Sequence, residues 1–108
     1  MSRELAGALS ERVDLQRRGS GRDALGGADG TWTSLGLAWA AMEHDRAGPG
    51  IAGGAIEDAP RWRVTLRARD DVAAGDRLIW GERVLRVRSV LRDPRWRDRI
   101  ILSAEEYR

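Results

Sequence analysis

Residues Asp76–Arg92 read DRLIWGERVLRVRSVLR, two alternating apolar and polar runs that meet at Gly81-Glu82. Two strands joined by a two-residue loop form a β-hairpin. Glycine at the first loop position suits a type II′ turn, whose positive φ is open to a residue without Cβ. That turn sets Trp80 opposite Arg83 and Leu78 opposite Leu85. Leu78, Trp80, Leu85 and Val87 then share one face, and Arg77, Ile79, Val84, Arg86 and Arg88 share the other. The hairpin is half core and half basic surface.

The same alternation extends outward from the hairpin. Arg61–Arg69 places Trp62, Val64, Leu66 and Ala68 on one side and Arg61, Arg63, Thr65, Arg67 and Arg69 on the other. A first strand is predicted over Arg12–Arg18, a second over Thr31–Glu43 and a last over Trp96–Ala104, with turns at Asp70–Asp76 and Asp93-Pro94-Arg95. The Ala residues of the second segment would also tolerate a helix, but its β-branched and aromatic residues favour a strand. Ser2–Leu9 reads as a short helical turn or an arm, and Gly19–Gly30 and His44–Pro60 as glycine-rich loops. Six strands with little helix imply an all-β fold with long Gly-rich loops, an antiparallel barrel or sandwich.

A chain of 108 residues fits one domain, residues 1–108, with 1–9 as an N-terminal arm and 44–60 as a long loop. It has no cysteine, which removes disulfides, thiolate metal sites and cysteine nucleophiles. No apolar run is long enough for a bilayer, and the N-terminus lacks the apolar core of a signal peptide, so no membrane partner is expected. The net charge of +2 conceals an asymmetry. Residues 1–60 hold six Arg against nine acids, whereas residues 61–99 hold twelve Arg against six. All nineteen basic residues are Arg, the side chain suited to bidentate ion pairs and phosphate contacts, although a GC-rich coding bias would give the same replacement of Lys.

Catalysis fails on inventory. The single histidine, His44, has no second His or Cys to share a metal, and without Lys there is neither Schiff-base chemistry nor a P-loop. Glycines in GSGRDALGGADG (residues 19–30) lack the GK[ST] ending of a nucleotide site. No catalytic residue, cofactor or metal is expected. Two readings remain for the Arg faces, nucleic-acid binding and protein assembly. Single-strand binding asks for aromatics among the cations, and Trp62 and Trp80 fall on the apolar side of their strands, where they read as core. Acids elsewhere in the chain offer Arg partners on a neighbouring copy, a heterologous contact able to close into a ring.

The order of motifs resembles the phage head-tail joining family, the small β-barrel stopper or head-closure proteins of long-tailed phage connectors and gene transfer agents. Gly7–Arg18 (GALSERVDLQRR) is similar to the family's N-terminal strand, and Leu37–Glu43 (LAWAAME) to its V-W-A-x-hydrophobic-E strand. RWRVTLRAR (residues 61–69) and GDRLIWGERVLRVRSVL (residues 75–91) are similar to its basic strand and to its hairpin ending in S-V. The resemblance runs from about Gly7 to Glu105 and implies a small six-stranded antiparallel β-barrel and a homo-oligomeric neck ring, a hexamer or dodecamer. The portal or adaptor ring would lie above it, the tail terminator below, and double-stranded DNA would pass through without sequence-specific binding. Such a protein sits in the neck of a virion or phage-like particle assembled in the bacterial cytoplasm. By the same resemblance the channel or gate loop would comprise Glu43, His44, Asp45, Arg46, Gly48, Gly50, Ile51, Gly53, Gly54, Ile56, Glu57 and Asp58, acidic enough to repel rather than grip a duplex. The family's usual loop is more polar and helix-forming than GPGIAGGAI (residues 48–56), and a surface loop without a gate is the alternative. Arg61, Arg63, Arg67, Arg69, Arg86 and Arg88 are the expected subunit or adaptor contacts, since charge-assisted pairs set register between copies. A tail-terminator or tail-completion protein and a free nucleic-acid-binding barrel are the alternative functions.

Overall fold

The structure, a computed structural model, describes residues 5–19, 30–45 and 60–107. One turn of helix, α1 (Leu5–Ala8), leads into six strands. They are β1 (Glu11–Arg18), β2 (Trp32–His44), β3 (Arg61–Arg67), β4 (Arg77–Trp80), β5 (Arg83–Leu91) and β6 (Arg99–Glu106). All neighbours are antiparallel and the sheet closes on itself in the order β1-β2-β3-β6-β5-β4. Of the antiparallel barrel or sandwich that the alternation allows, the chain forms the six-stranded barrel implied by the resemblance.

The hairpin register is the one read from the turn, with Leu78 opposite Leu85 and Trp80 opposite Arg83. Gly81 takes φ 60° while Glu82 stays at negative φ, as a type II′ turn requires. Alternation sends Leu15, Leu66, Leu78, Leu85 and Leu102 inward, where they are fully buried and fill the interior with Val13, Val64 and Val87. Each such side chain contributes roughly 1.5–3 kcal/mol relative to exposure. Two bulges reset the alternation. One, between Val87 and Ser89, leaves Arg88 without a paired residue on β6 and returns Val90 to the core. The other lies opposite Leu15 and Gln16, where Gly36 takes φ 110° and Leu35 turns against the core.

The barrel closes where β1 meets β4, a short seam over Asp14–Gln16 and Arg77–Ile79. A buried carboxylate braces it. Asp76 accepts two bonds from the Arg17 guanidinium, 3.0 Å from Nε and 2.9 Å from Nη2, and a third from the Ala73 N–H at 2.8 Å. Its own carbonyl accepts the Val87 N–H at 2.8 Å, so one residue ties β1 to the β3–β4 connection and to β5.

Several boundaries differ from the sequence expectations. β3 ends at Arg67 rather than Arg69, and Ala68 is exposed instead of inward, because its N–H turns to the Asp98 carbonyl as the strand leaves the barrel. The last strand starts at Arg99 and not Trp96: the Trp96 N–H bonds the Asp93 carbonyl and prolongs the turn. β2 runs through His44, so Glu43 and His44 belong to a strand and not to a loop. Among the described residues no helix is long and apolar enough to cross a membrane.

Candidate functional site

The registers of β2, β3, β6 and β5 resolve the basic outer face into cross-strand rows. Nearest the chain's C-terminus, Arg61 pairs with Glu105 and Glu105 with Arg86. Glu105 is the hub of this row, 3.4 Å from Arg61 and 3.7 Å from Arg88. Next come Glu43, Arg63, Ser103 and Ser89, then Ala41, Thr65, Ile101 and Leu91, and then Arg67 opposite Arg99. The six expected contact arginines thus divide. Arg61 and Arg88 share Glu105, and Arg69 grips Asp71 through Nε at 2.6 Å and Nη2 at 2.8 Å. That grip holds the Asp71 carboxyl at about 2, well below the usual carboxylate range. Arg63 and Arg86 hold no hydrogen bond or ion pair among the described residues, and Arg67 acts only through the field it puts on Asp98.

One end of the barrel is closed by a rim to which each strand contributes a side chain: Glu11, His44, Trp62, Trp80, Arg83 and Glu106. Trp62 and Trp80 meet edge to face with centroids 5.0 Å apart, and His44 packs edge-on against Trp62 at 5.2 Å. The Arg83 guanidinium lies 5.6 Å and 5.5 Å from the two indole centroids. Each indole N–H finds a carboxylate, Trp62 to Glu106 at 3.1 Å and Trp80 to Glu11 at 3.0 Å. The two Trp expected as core therefore sit half-buried on top of it, their apolar bodies facing in and their N–H groups facing acids.

This rim is the end at which the chain leaves β2 for residues 46–59. Asp45 continues the strand pairing, its N–H bonded to the Arg61 carbonyl at 2.8 Å. The remaining expected gate residues, Arg46, Gly48, Gly50, Ile51, Gly53, Gly54, Ile56, Glu57 and Asp58, lie outside the described residues. Among the described residues no group of His, Cys, Asp or Glu is arranged to hold a metal.

Sequence reasoning missed the exposed apolar residues. Leu37 and Trp39 stand on the outside of β2, 61% and 52% exposed, while the smaller Ala38 and Ala40 face the core. Both phases of that strand are apolar, so its alternation carries no inward signal. Leu91 and Trp96 are also exposed, Trp96 with the Arg99 guanidinium 4.6 Å above its ring.

The fold is shared with known proteins. The solution structure of protein SF1141 from Shigella flexneri 2a superposes with a TM-score of 0.72 at 26% identity, covering 95% of this chain and 96% of that one. A chain from the virion of a native gene transfer agent particle superposes with a TM-score of 0.68 at 21% identity, over 92% of this chain and 96% of its own. No curated protein matches the chain by sequence. The family model described as phage head completion protein matches residues 5–106, from α1 through the end of β6, and the chain belongs to that family of structural virion proteins.

Proposed function

We propose that the chain, acting as one domain, is a neck protein of the stopper or head-closure kind. In this reading it forms a ring that joins the portal and adaptor of the head to the tail, and residues 44–60 line or gate the DNA channel. The observation that carries the reading is the filled barrel. With Leu15, Leu66, Leu78, Leu85 and Leu102 fully buried and the rim closed by Trp62 and Trp80, one copy has no bore. A duplex needs a channel about 20 Å wide, which is wider than a six-stranded barrel whose interior side chains already fill it. A passage for DNA therefore has to be bounded by several copies around an axis, each contributing a segment of wall. The reading assigns the chain no catalytic step.

Of the six expected contact arginines, Arg63, Arg67 and Arg86 have side chains without a carboxylate partner among the described residues and in this reading pair with a neighbouring copy or with the adaptor. The free nucleic-acid-binding alternative loses ground for the same reason, since Asp71 pairs with Arg69 and the single Glu105 carboxylate offsets part of the charge of Arg61 and Arg88. Arg86→Glu tests the reading: particles should contain filled heads without attached tails, and normal infectious or transducing particles would overturn it. Deleting residues 48–55 should leave the barrel folded while filled heads lose DNA, and unchanged retention would remove the gate. Particle images that put the chain in the tail-terminator ring would favour that alternative.

A further inference from the structure

We infer that the outer face between Leu37 and Trp96 is a docking surface for an extended acidic segment of another protein. Three of the five exposed large apolar side chains among the described residues, Leu37, Trp39 and Trp96, flank concavities that share Ala68 and Arg69. Scattered apolar residues on a surface are ordinary, but a cluster rimmed by charge marks a contact site. Thr65 and Ile101, opposite each other on β3 and β6, carry the surface on from Trp96 as a strip. Trp together with Arg is the pair that dominates binding energy at protein interfaces.

Three concavities make the strip a groove. One of about 300 Å³ lies beside Leu37 and Trp39, and it shares Ala68 and Arg69 with one of about 360 Å³ beside Trp96. The latter shares Trp96 and Arg99 with a third, of about 280 Å³, over Thr65 and Ile101. A continuous shallow groove accommodates an extended chain better than a globular knob. Beneath it β3 and β6 pair with each other, so over those strands the segment is held by side chains and not by strand addition, whereas β2 pairs with β3 only over Ala40–His44 and has no strand partner on that side at Leu37–Trp39.

Charge decides the chemistry of the occupant. Arg63, Arg67 and Arg97 line the groove and Arg12 stacks 5.2 Å above Trp39 at its edge, none of them bonded to a carboxylate among the described residues, and these four outnumber Glu43 and Asp70, the lining acids that hold no Arg. They await carboxylates spaced between apolar side chains. Nucleic acid fits less well. Leu37 and Ile101 have nothing to offer phosphates, and Asp71, Asp93 and Asp98 have already paired with Arg69, Arg95 and Arg99 around the same groove. The groove shares Arg63 and Arg67 with the ring contacts of the neck reading, but peptide binding reads the groove and the particles formed by Arg86→Glu read the neck, so the two fail separately.

The test uses the full chain and a set of twelve-residue peptides with Leu or Ile at alternate positions and Glu, Gln or Lys between them. Indole N–H signals of Trp39 and Trp96 are followed by NMR, with those of Trp62 and Trp80 as internal controls. The Glu peptide should shift Trp39 and Trp96 saturably, the Gln peptide should bind about tenfold more weakly, and the Lys peptide should leave both unmoved. Trp39→Ser and Trp96→Ser remove exposed side chains, so the barrel should persist while Glu-peptide affinity falls about tenfold or more. Three results overturn the inference: indole signals unmoved by the Glu peptide, signals moved at lower concentration by duplex DNA, and signals that shift on dilution of the chain alone. The last would make a second copy the occupant.

Discussion

Replacing Asp76 by Ala should open the barrel at its weakest seam. The carboxylate is 4% exposed and accepts three hydrogen bonds, two from Arg17 and one from the Ala73 N–H. A bond to a charged group contributes about 1.5–3 kcal/mol, but the freed donors here regain water, since the Arg17 side chain is 44% exposed. Discounting each bond to about 1 kcal/mol gives a loss of about 3 kcal/mol. For a domain of this size that lowers the melting temperature by roughly 12 °C. Arg17→Ala removes only two of the bonds yet strands a buried carboxylate, so it should be comparably destabilising, about 2–3 kcal/mol. Urea denaturation of both variants and of the double mutant measures the coupling, expected at 1 kcal/mol or more. An Asp76→Ala protein within about 0.5 kcal/mol of the parent, or single losses that simply add, would refute the bracing role.

Three other outcomes are expected. Leu102→Ala, which empties a fully buried position facing β3 and β5, should destabilise by about 2–5 kcal/mol in the same urea assay. Gly81→Ala should cost about 1–2 kcal/mol for backbone reasons alone, because φ is 60° and an added Cβ meets nothing within 4 Å. Asp71, held at about 2 by Arg69, is depressed on folding, so its stabilising contribution is present above about pH 4 and lost as pH falls toward 2. Melting curves of the parent and Asp71→Asn should accordingly differ at pH 6 and converge by about pH 2.

The fold was legible because the hairpin and β3 alternate cleanly, with Leu78, Leu85, Val64 and Leu66 on a single phase. Closure of the sheet was legible only as a class. The β1–β4 seam depends on Asp76 and Arg17, 59 positions apart, and no local pattern links them. Half of the proposed contact arginines were legible as cationic surface but not as spent charge, since Glu105 lies far along the sequence from Arg61 and Arg88 until β6 brings it between them. Trp39 escaped notice for another reason. In a strand whose two faces are both apolar, only the barrel decides which one is wet, and Ala38 and Ala40 won the inside through their small volume near a crowded axis.

Closure of the sheet also bears on timing. An open sheet offers unpaired N–H and C=O groups to any neighbouring chain, and a protein made in many copies would risk joining itself prematurely through them. Here the sheet closes in a full circle, which pairs most of the edge an open sheet would present and leaves β2 without a β3 partner only over Trp32–Trp39. Closure removes most of the backbone route to polymerisation. In the proposed neck, joining a ring would then depend on a matching side-chain surface, which would make assembly order a property of the partner presented and not of concentration alone.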